Sequence, residues 1–206
     1  MYTPPSMVVT DEAEVRAMVD DVASAWLVTV AGGEPVATLV PIVWDRDRVL
    51  AHVAKANPQW RSIEDGARGL MIVGGPEAYV SPGWYVTKRE HGKVVPTWNY
   101  TAVHLSGALR VHHDRDWLLD VVSRLTERHE ASMAEPWAVT DAPAEFVDGL
   151  LGAIVGVELA VDRVEAKAKL SQNRPADDRA GVVEGLSAVD EPGAHAIARA
   201  MRHLDP

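Results

Sequence analysis

Val15, Met18, Val19 and Val22 recur at the spacing of one helix face behind Asp11 and Glu12, whose carboxylates suit a helix N-terminus. This pattern predicts an amphipathic helix over residues 11–25. From Trp26 the period shortens. Residues 26–31, 36–44 and 48–54 are β-rich runs parted by Gly32-Gly33 and by Asp45-Arg46-Asp47, which predicts an antiparallel meander. The second run does not alternate, so both of its faces need a cover, a barrel interior on one side and a partner or helix on the other. Pro41 within it marks a bulge or an edge. Asn57-Pro58 stops the third run, residues 59–66 read as a short helix or turn, and a strand from Leu70 to Val73 is bent by Gly74-Gly75-Pro76.

Two aromatic-rich extended segments follow, 78–85 and 96–100, around a polar loop at 87–93, and the second continues as a strand through Val103, Leu105 and Leu109. Asp114 caps a helix near 114–131 that carries Trp117, Leu118, Val121, Val122 and Leu125 on its inner face. A helix near 143–152, a final strand at 154–161, the polar run Lys167 to Arg174, and helices near 176–188 and 193–204 complete the reading. Short strands joined by turns, with helices at both ends, predict a mainly β fold with peripheral helices (α+β), an antiparallel barrel. The expected organisation is a barrel domain with inserted helices over 1–170 and a C-terminal polar loop and helical extension, 171–206, packed on it.

Composition narrows the classes. A chain of 206 residues with 47% hydrophobic and 24% charged residues can bury a continuous core, which excludes a disordered chain or a coiled coil. A net charge of −10 repels nucleic-acid phosphates, so direct nucleic-acid binding is disfavoured. The absence of cysteine removes disulfides, thiolate zinc sites, iron–sulfur clusters and thiol catalysis. The opening Met1-Tyr2-Thr3-Pro4-Pro5 has no basic-then-apolar pattern and no run reaches membrane-spanning length, so a cytoplasmic protein with no membrane partner is expected.

Stock catalytic motifs are missing: there is no Gly-rich nucleotide fingerprint, P-loop, nucleophile elbow or His-Glu-x-x-His. His112 and His113, as strand neighbours, point apart, and His52 and His104 lie on separate strands, so no metal site is assigned. Three segments carry candidate chemistry. His52, Lys55, Ala56, Asn57 and Gln59 place a cation and two amides where a strand gives way to a turn, able to hold a phosphate; the alternative is a solvated Lys with a packed Trp60. Thr97, Trp98, Asn99 and Tyr100 suit a planar heterocycle, or else form core. Lys169, Ser171, Gln172, Asn173 and Arg174 form a donor-dense stretch, or else a helix-capping loop.

The strings Met1-Tyr2-x-Pro4, Ala54-Lys55-Ala56-Asn57-Pro58-Gln59-Trp60, Gly75-Pro76-x-Ala78-Tyr79-Val80-Ser81-Pro82-x-Trp84-Tyr85, Val95-Pro96-Thr97-Trp98-Asn99-Tyr100-x-Ala102-Val103-His104, Pro136-Trp137, Lys169-Leu170-Ser171-Gln172-Asn173-Arg174 and the acidic tail from Asp177 to Leu186 resemble the PaiB-like family of FMN-binding proteins. That family belongs to the flavin-reductase-like split-barrel group and is described as negative transcriptional regulators. Lys55 departs from the family's Arg, keeping a phosphate contact without a bidentate one. The resemblance implies an antiparallel Greek-key split β-barrel that forms a homodimer, binds FMN at the subunit interface, and reaches each flavin with the C-terminal region of the other subunit. It also implies an indirect negative regulator of transcription, with an FMN-dependent oxidoreductase acting on a small-molecule substrate, or a haem-binding or haem-degrading split barrel, as alternatives.

Overall fold

The computed structural model describes residues 1–204. The chain runs β1 (Val8–Val9), α1 (Glu12–Val22), β2 (Ser24–Ala31), β3 (Glu34–Asp45), β4 (Arg48–Ala54), β5 (Arg68–Val80), α2 (Thr87–His91), β6 (Thr97–His112), α3 (Arg115–Glu130), α4 (Ala144–Leu151), β7 (Ile154–Lys169), α5 (Ala176–Ala188) and α6 (Pro192–Arg202). It divides into two compact units: a barrel unit, Val19–Val73 with His104–Val164, and a terminal unit made of Met1–Met18, Gly74–Val103 and the chain from Glu165 onward.

In the barrel unit the strand order is β7-β4-β3-β2-β5-β6, and β6 pairs back onto β7 to close six strands on themselves. The hairpins β2–β3 and β3–β4 are antiparallel, as are β2–β5 and β4–β7. This is the mainly β architecture with peripheral helices that the pattern predicts. Leu27, Val49, Ala51, Val53, Met71, Leu105, Leu109, Val155, Val157 and Leu159 are buried. Burying each of the larger of these contributes about 1.5–3 kcal/mol. Alternate residues of β4 and β7 face helices instead: Leu50 packs against Val121 and Leu125 of α3. Gly156 gives up a side chain so that the Trp117 ring can lie where its Cβ would be. Asp114 accepts the Trp117 N–H at 2.8 Å and caps α3 as expected.

Pro41 sits at a local edge, one of the two positions expected of it. It pairs with Ser24 of β2, and the β3–β4 ladder begins only at Ile42, so the missing N–H falls where β3 passes from one neighbour to the other. The face of β3 opposite the core is not covered among the described residues: Trp26 and Leu39 are register partners on it and both are about half exposed, at 49% and 53%.

In the terminal unit, α5 and α6 pack Val182, Leu186, Ala194, Ile197 and Met201 onto Ala78, Val80, Tyr85, Ala168 and Leu170. β1 pairs with the end of β7, Val8 opposite Lys167. Three expectations are corrected. The strand at 70–73 and the start of the extended segment at 78–85 are one strand, β5, which continues through Gly74-Gly75-Pro76; Gly75 serves a close approach, since a Cβ there would strike the Thr101 hydroxyl. The last strand extends to Lys169, its far end held by β1, so Lys167 and Lys169 belong to a strand and not to the loop after it. Residues 87–91 are helical, with buried Asp178 accepting from the Thr87 N–H at 3.0 Å and its hydroxyl at 2.7 Å.

Candidate functional site

The barrel unit holds an apolar cavity of about 470 Å³ between the outer face of β4–β7 and the helices. His52, Ala54 and Ile154 form its floor, Val122 and Thr126 of α3 one wall, and Trp137, Phe146 and Leu150 the other. The register explains the floor, since His52 lies opposite Gly156 and Ala54 opposite Ile154. Phe146 and Leu150 are one helical turn apart on α4 and both are more than half exposed, at 60% and 55%. An adjoining groove of about 370 Å³ shares His52, Val122, Thr126 and Trp137 with the cavity and adds Pro41, His129 and Glu130. Pro41 lies two residues from Leu39 on the same strand face, so the groove meets the uncovered face of β2–β3.

His52 is the polar group of the floor. Its Nδ1 is buried without a hydrogen-bond partner, and burial lowers its pKa below the ordinary histidine value. The neutral imidazole thus keeps one unspent hydrogen bond at an atom shut off from the cavity space, and what it lends the floor is its ring. Lys55 follows Ala54 at the edge of the same cavity. Its backbone N–H donates to Ala153, a lining residue, at 2.8 Å, and its ammonium donates to the Gly152 carbonyl at 3.3 Å, which leaves most of its donor capacity in solvent.

The other candidates of this segment serve the fold around Lys55. Asn57 accepts the Gln59 N–H at 2.9 Å and donates to Thr38 at 3.0 Å. Buried Gln59 accepts from the Thr38 hydroxyl at 2.5 Å and donates through Nε2 towards Leu27, Thr29 and Val36. The Trp60 indole donates to the Lys55 carbonyl at 3.0 Å, and Ala56 is exposed. Asn57, Gln59 and Trp60 thereby fix the turn that presents Lys55.

The remaining candidates gather in the terminal unit. Asn99 is fully buried and exchanges hydrogen bonds with Ser171, which adopts φ +64°. Lys169 donates to the Thr97 hydroxyl at 2.5 Å and the Trp98 carbonyl at 2.6 Å. Gln172 folds onto its own backbone, donating to Ala168 at 2.5 Å and accepting from Leu170 at 2.8 Å. The Arg174 guanidinium lies 4.5 Å over the Tyr85 ring, and Asn173 is exposed. Trp98 meets Tyr79 edge-on at 6.2 Å.

Two groups escape the sequence reading. Phe146, Leu150 and Val122 look like core in a sequence because apolar residues at helical spacing normally are core. Lys167 donates to the Tyr100 hydroxyl at 2.7 Å and the Tyr2 carbonyl at 3.1 Å. Its signal was available, since Lys167 and Lys169 are two apart and share a strand face. Among the described residues no three His, Asp or Glu side chains come together as metal ligands.

A model of the family described as "Putative FMN-binding domain" matches residues 1–163. The chain is 33% identical over 205 residues to "Protease synthase and sporulation protein PAI 2" of Bacillus subtilis, covering 98% of this chain and 96% of that one. In fold it is similar to the FAD and haem binding protein of Mycobacterium smegmatis, with TM-score 0.62, 20% identity, and coverage of 84% and 78% of the two chains. The flavocytochrome Anf3 of Azotobacter vinelandii is similar at TM-score 0.62 and 15% identity, with coverage of 84% and 75%. The split-barrel class expected from the sequence is thus the fold observed.

Proposed function

We propose, from the premise that this chain belongs to the PaiB-like FMN-binding family, that it binds FMN in the barrel-unit cavity and works as a homodimeric flavin-linked regulator. The observation that carries this reading is the cavity itself: about 470 Å³ of apolar space, within the range of ligand pockets, with one lightly engaged ammonium at its edge. A planar ring system suits the wall of Trp137, Phe146 and Leu150 facing the His52 ring. A terminal phosphate suits Lys55. Bound flavin supplies reversible two-electron or one-electron redox chemistry; the protein's part is to exclude water, orient the ring and hold the phosphate.

The homodimer rests on the exposed face carrying Trp26, Val30 and Leu39, a contiguous apolar strip of a kind that monomers seldom leave open. A second copy seated there would also approach the groove through Pro41. The output we assign is negative regulation of transcription by an indirect route, because a chain of net charge −10, whose α3 carries Asp116, Asp120, Glu127 and Glu130, is a poor reader of DNA. The groove beside the cavity favours a second reading, an FMN-dependent oxidoreductase, since it leaves room for a small substrate next to the ring. Titration with FMN, followed by flavin fluorescence, together with light scattering tests the proposal. Saturable binding to a particle of twice the chain mass is expected; no binding, or a monomer at micromolar concentration, contradicts it.

A further inference from the structure

In the terminal unit, Lys167 is only 6% exposed, and neither it nor Lys169 makes an ion pair with a carboxylate among the described residues. Both ammonium groups lie near the same ring, 5.0 Å and 6.0 Å from the centroid of Tyr100. The Tyr2 ring stands 5.9 Å from the Lys167 ammonium. Each ammonium spends two of its three N–H donors, Lys167 on Tyr2 and Tyr100 and Lys169 on Thr97 and Trp98. The Tyr100 hydroxyl accepts from Lys167 and keeps its own proton to donate. Glu165, two residues before Lys167 on the same strand face, pairs with the Met1 ammonium. Three donors and two positive charges are therefore assembled against one carboxylate among the described residues, an arrangement whose desolvation cost is relieved by an anion.

We propose that Lys167, Lys169 and Tyr100 form a second anion site, distinct from the flavin cavity, that takes the phosphate group of a small molecule. Two ammonium groups suit a dianion better than a single carboxylate. Burial, and then the neighbouring Lys167, push the Lys169 pKa below the ordinary lysine value against an opposing pull from Tyr100, which a bound phosphate would reverse. The ring faces of Tyr2 and Tyr100 supply an aromatic margin, so the ligand class is a phosphate monoester. The site would let a phosphorylated metabolite act on the protein as an effector.

The probe is inorganic phosphate, added in a zwitterionic buffer to the full chain carrying Lys55→Ala, so that the proposed flavin-phosphate contact does not respond. Melting temperature should rise saturably with phosphate. Adding Lys167→Met or Lys169→Met should weaken the response at least tenfold in half-saturating concentration, and Lys169→Met serves if Lys167→Met does not fold. A linear rise without saturation, or an undiminished response in the lysine variants, overturns the proposal. FMN titration of Lys167→Met in the otherwise native chain separates this site from the flavin's: unchanged affinity is expected, and a parallel loss of FMN and phosphate binding would overturn a second site. Should the native chain bind no flavin, the FMN reading fails and the phosphate titration still decides this one.

Discussion

Ala153→Trp is expected to abolish FMN binding while leaving the chain folded. Ala153 is exposed, so a larger side chain there displaces no core residue. It also lines the cavity, between Gly152, whose carbonyl takes the Lys55 ammonium, and Ile154 on the floor. An indole at this position occupies the space that the flavin ring needs and stands beside the proposed phosphate contact. Binding followed by fluorescence should vanish, while the circular dichroism spectrum and melting temperature stay close to those of the native chain. Native affinity in this variant would move the flavin out of the cavity.

The second large effect concerns closure of the barrel. Gly107 of β6 is buried, and a Cβ there would fall on the Ala160 carbonyl oxygen of β7, with the carbonyl carbon at 2.7 Å and Val161 Cα at 3.1 Å. These are backbone atoms and cannot rotate away. Gly107→Ala must therefore separate β6 from β7, the pairing that closes the six strands. The expected cost is about 3 kcal/mol, at the upper end for forced overpacking. For a chain of this size that lowers the melting temperature by about 6–12 °C. Gly149 on α4 is the control: nothing lies within 4 Å of its Cβ position, and Gly149→Ala should stabilise by about 0.5–1 kcal/mol through helix propensity. Equal melting temperatures for Gly107→Ala and the native chain would contradict the closure.

The elements legible in the sequence were those with a local physical signature. Helices α1 and α3 announced themselves through apolar spacing and the Asp11 and Asp114 caps, and the β2–β3–β4 meander through its turns. The continuity of β5 was hidden at Gly74-Gly75, because a glycine needed for close approach to Thr101 reads the same as one that interrupts a strand. The far half of β7 was hidden by Asp162, Arg163 and Glu165, polar residues that read as a strand end; Arg68 pairs with Asp162 in the barrel unit, and β1 holds Ala166 and Lys167 in the terminal unit. Of the site, His52 and Lys55 were legible because a histidine inside a β-rich run and a lysine at its end each break the pattern. The cavity wall was not, since Trp137, Phe146 and Leu150 come together only through the packing of α4 and the loop before it. Likewise nothing in the sequence separates Gln59, a buried strut, from an amide that reaches a ligand.

The central claim is that Lys55 at the edge of the barrel-unit cavity holds the phosphate of FMN. It is tested most directly by the ratio of FMN to riboflavin affinity, measured by fluorescence quenching for the native chain and for Lys55→Ala. Riboflavin has the same ring and lacks the phosphate, so cavity packing cancels in the ratio. A hydrogen bond to a charged group contributes about 1.5–3 kcal/mol, so the preference for FMN should fall roughly 10- to 150-fold in Lys55→Ala while riboflavin affinity holds. An unchanged ratio would contradict the account.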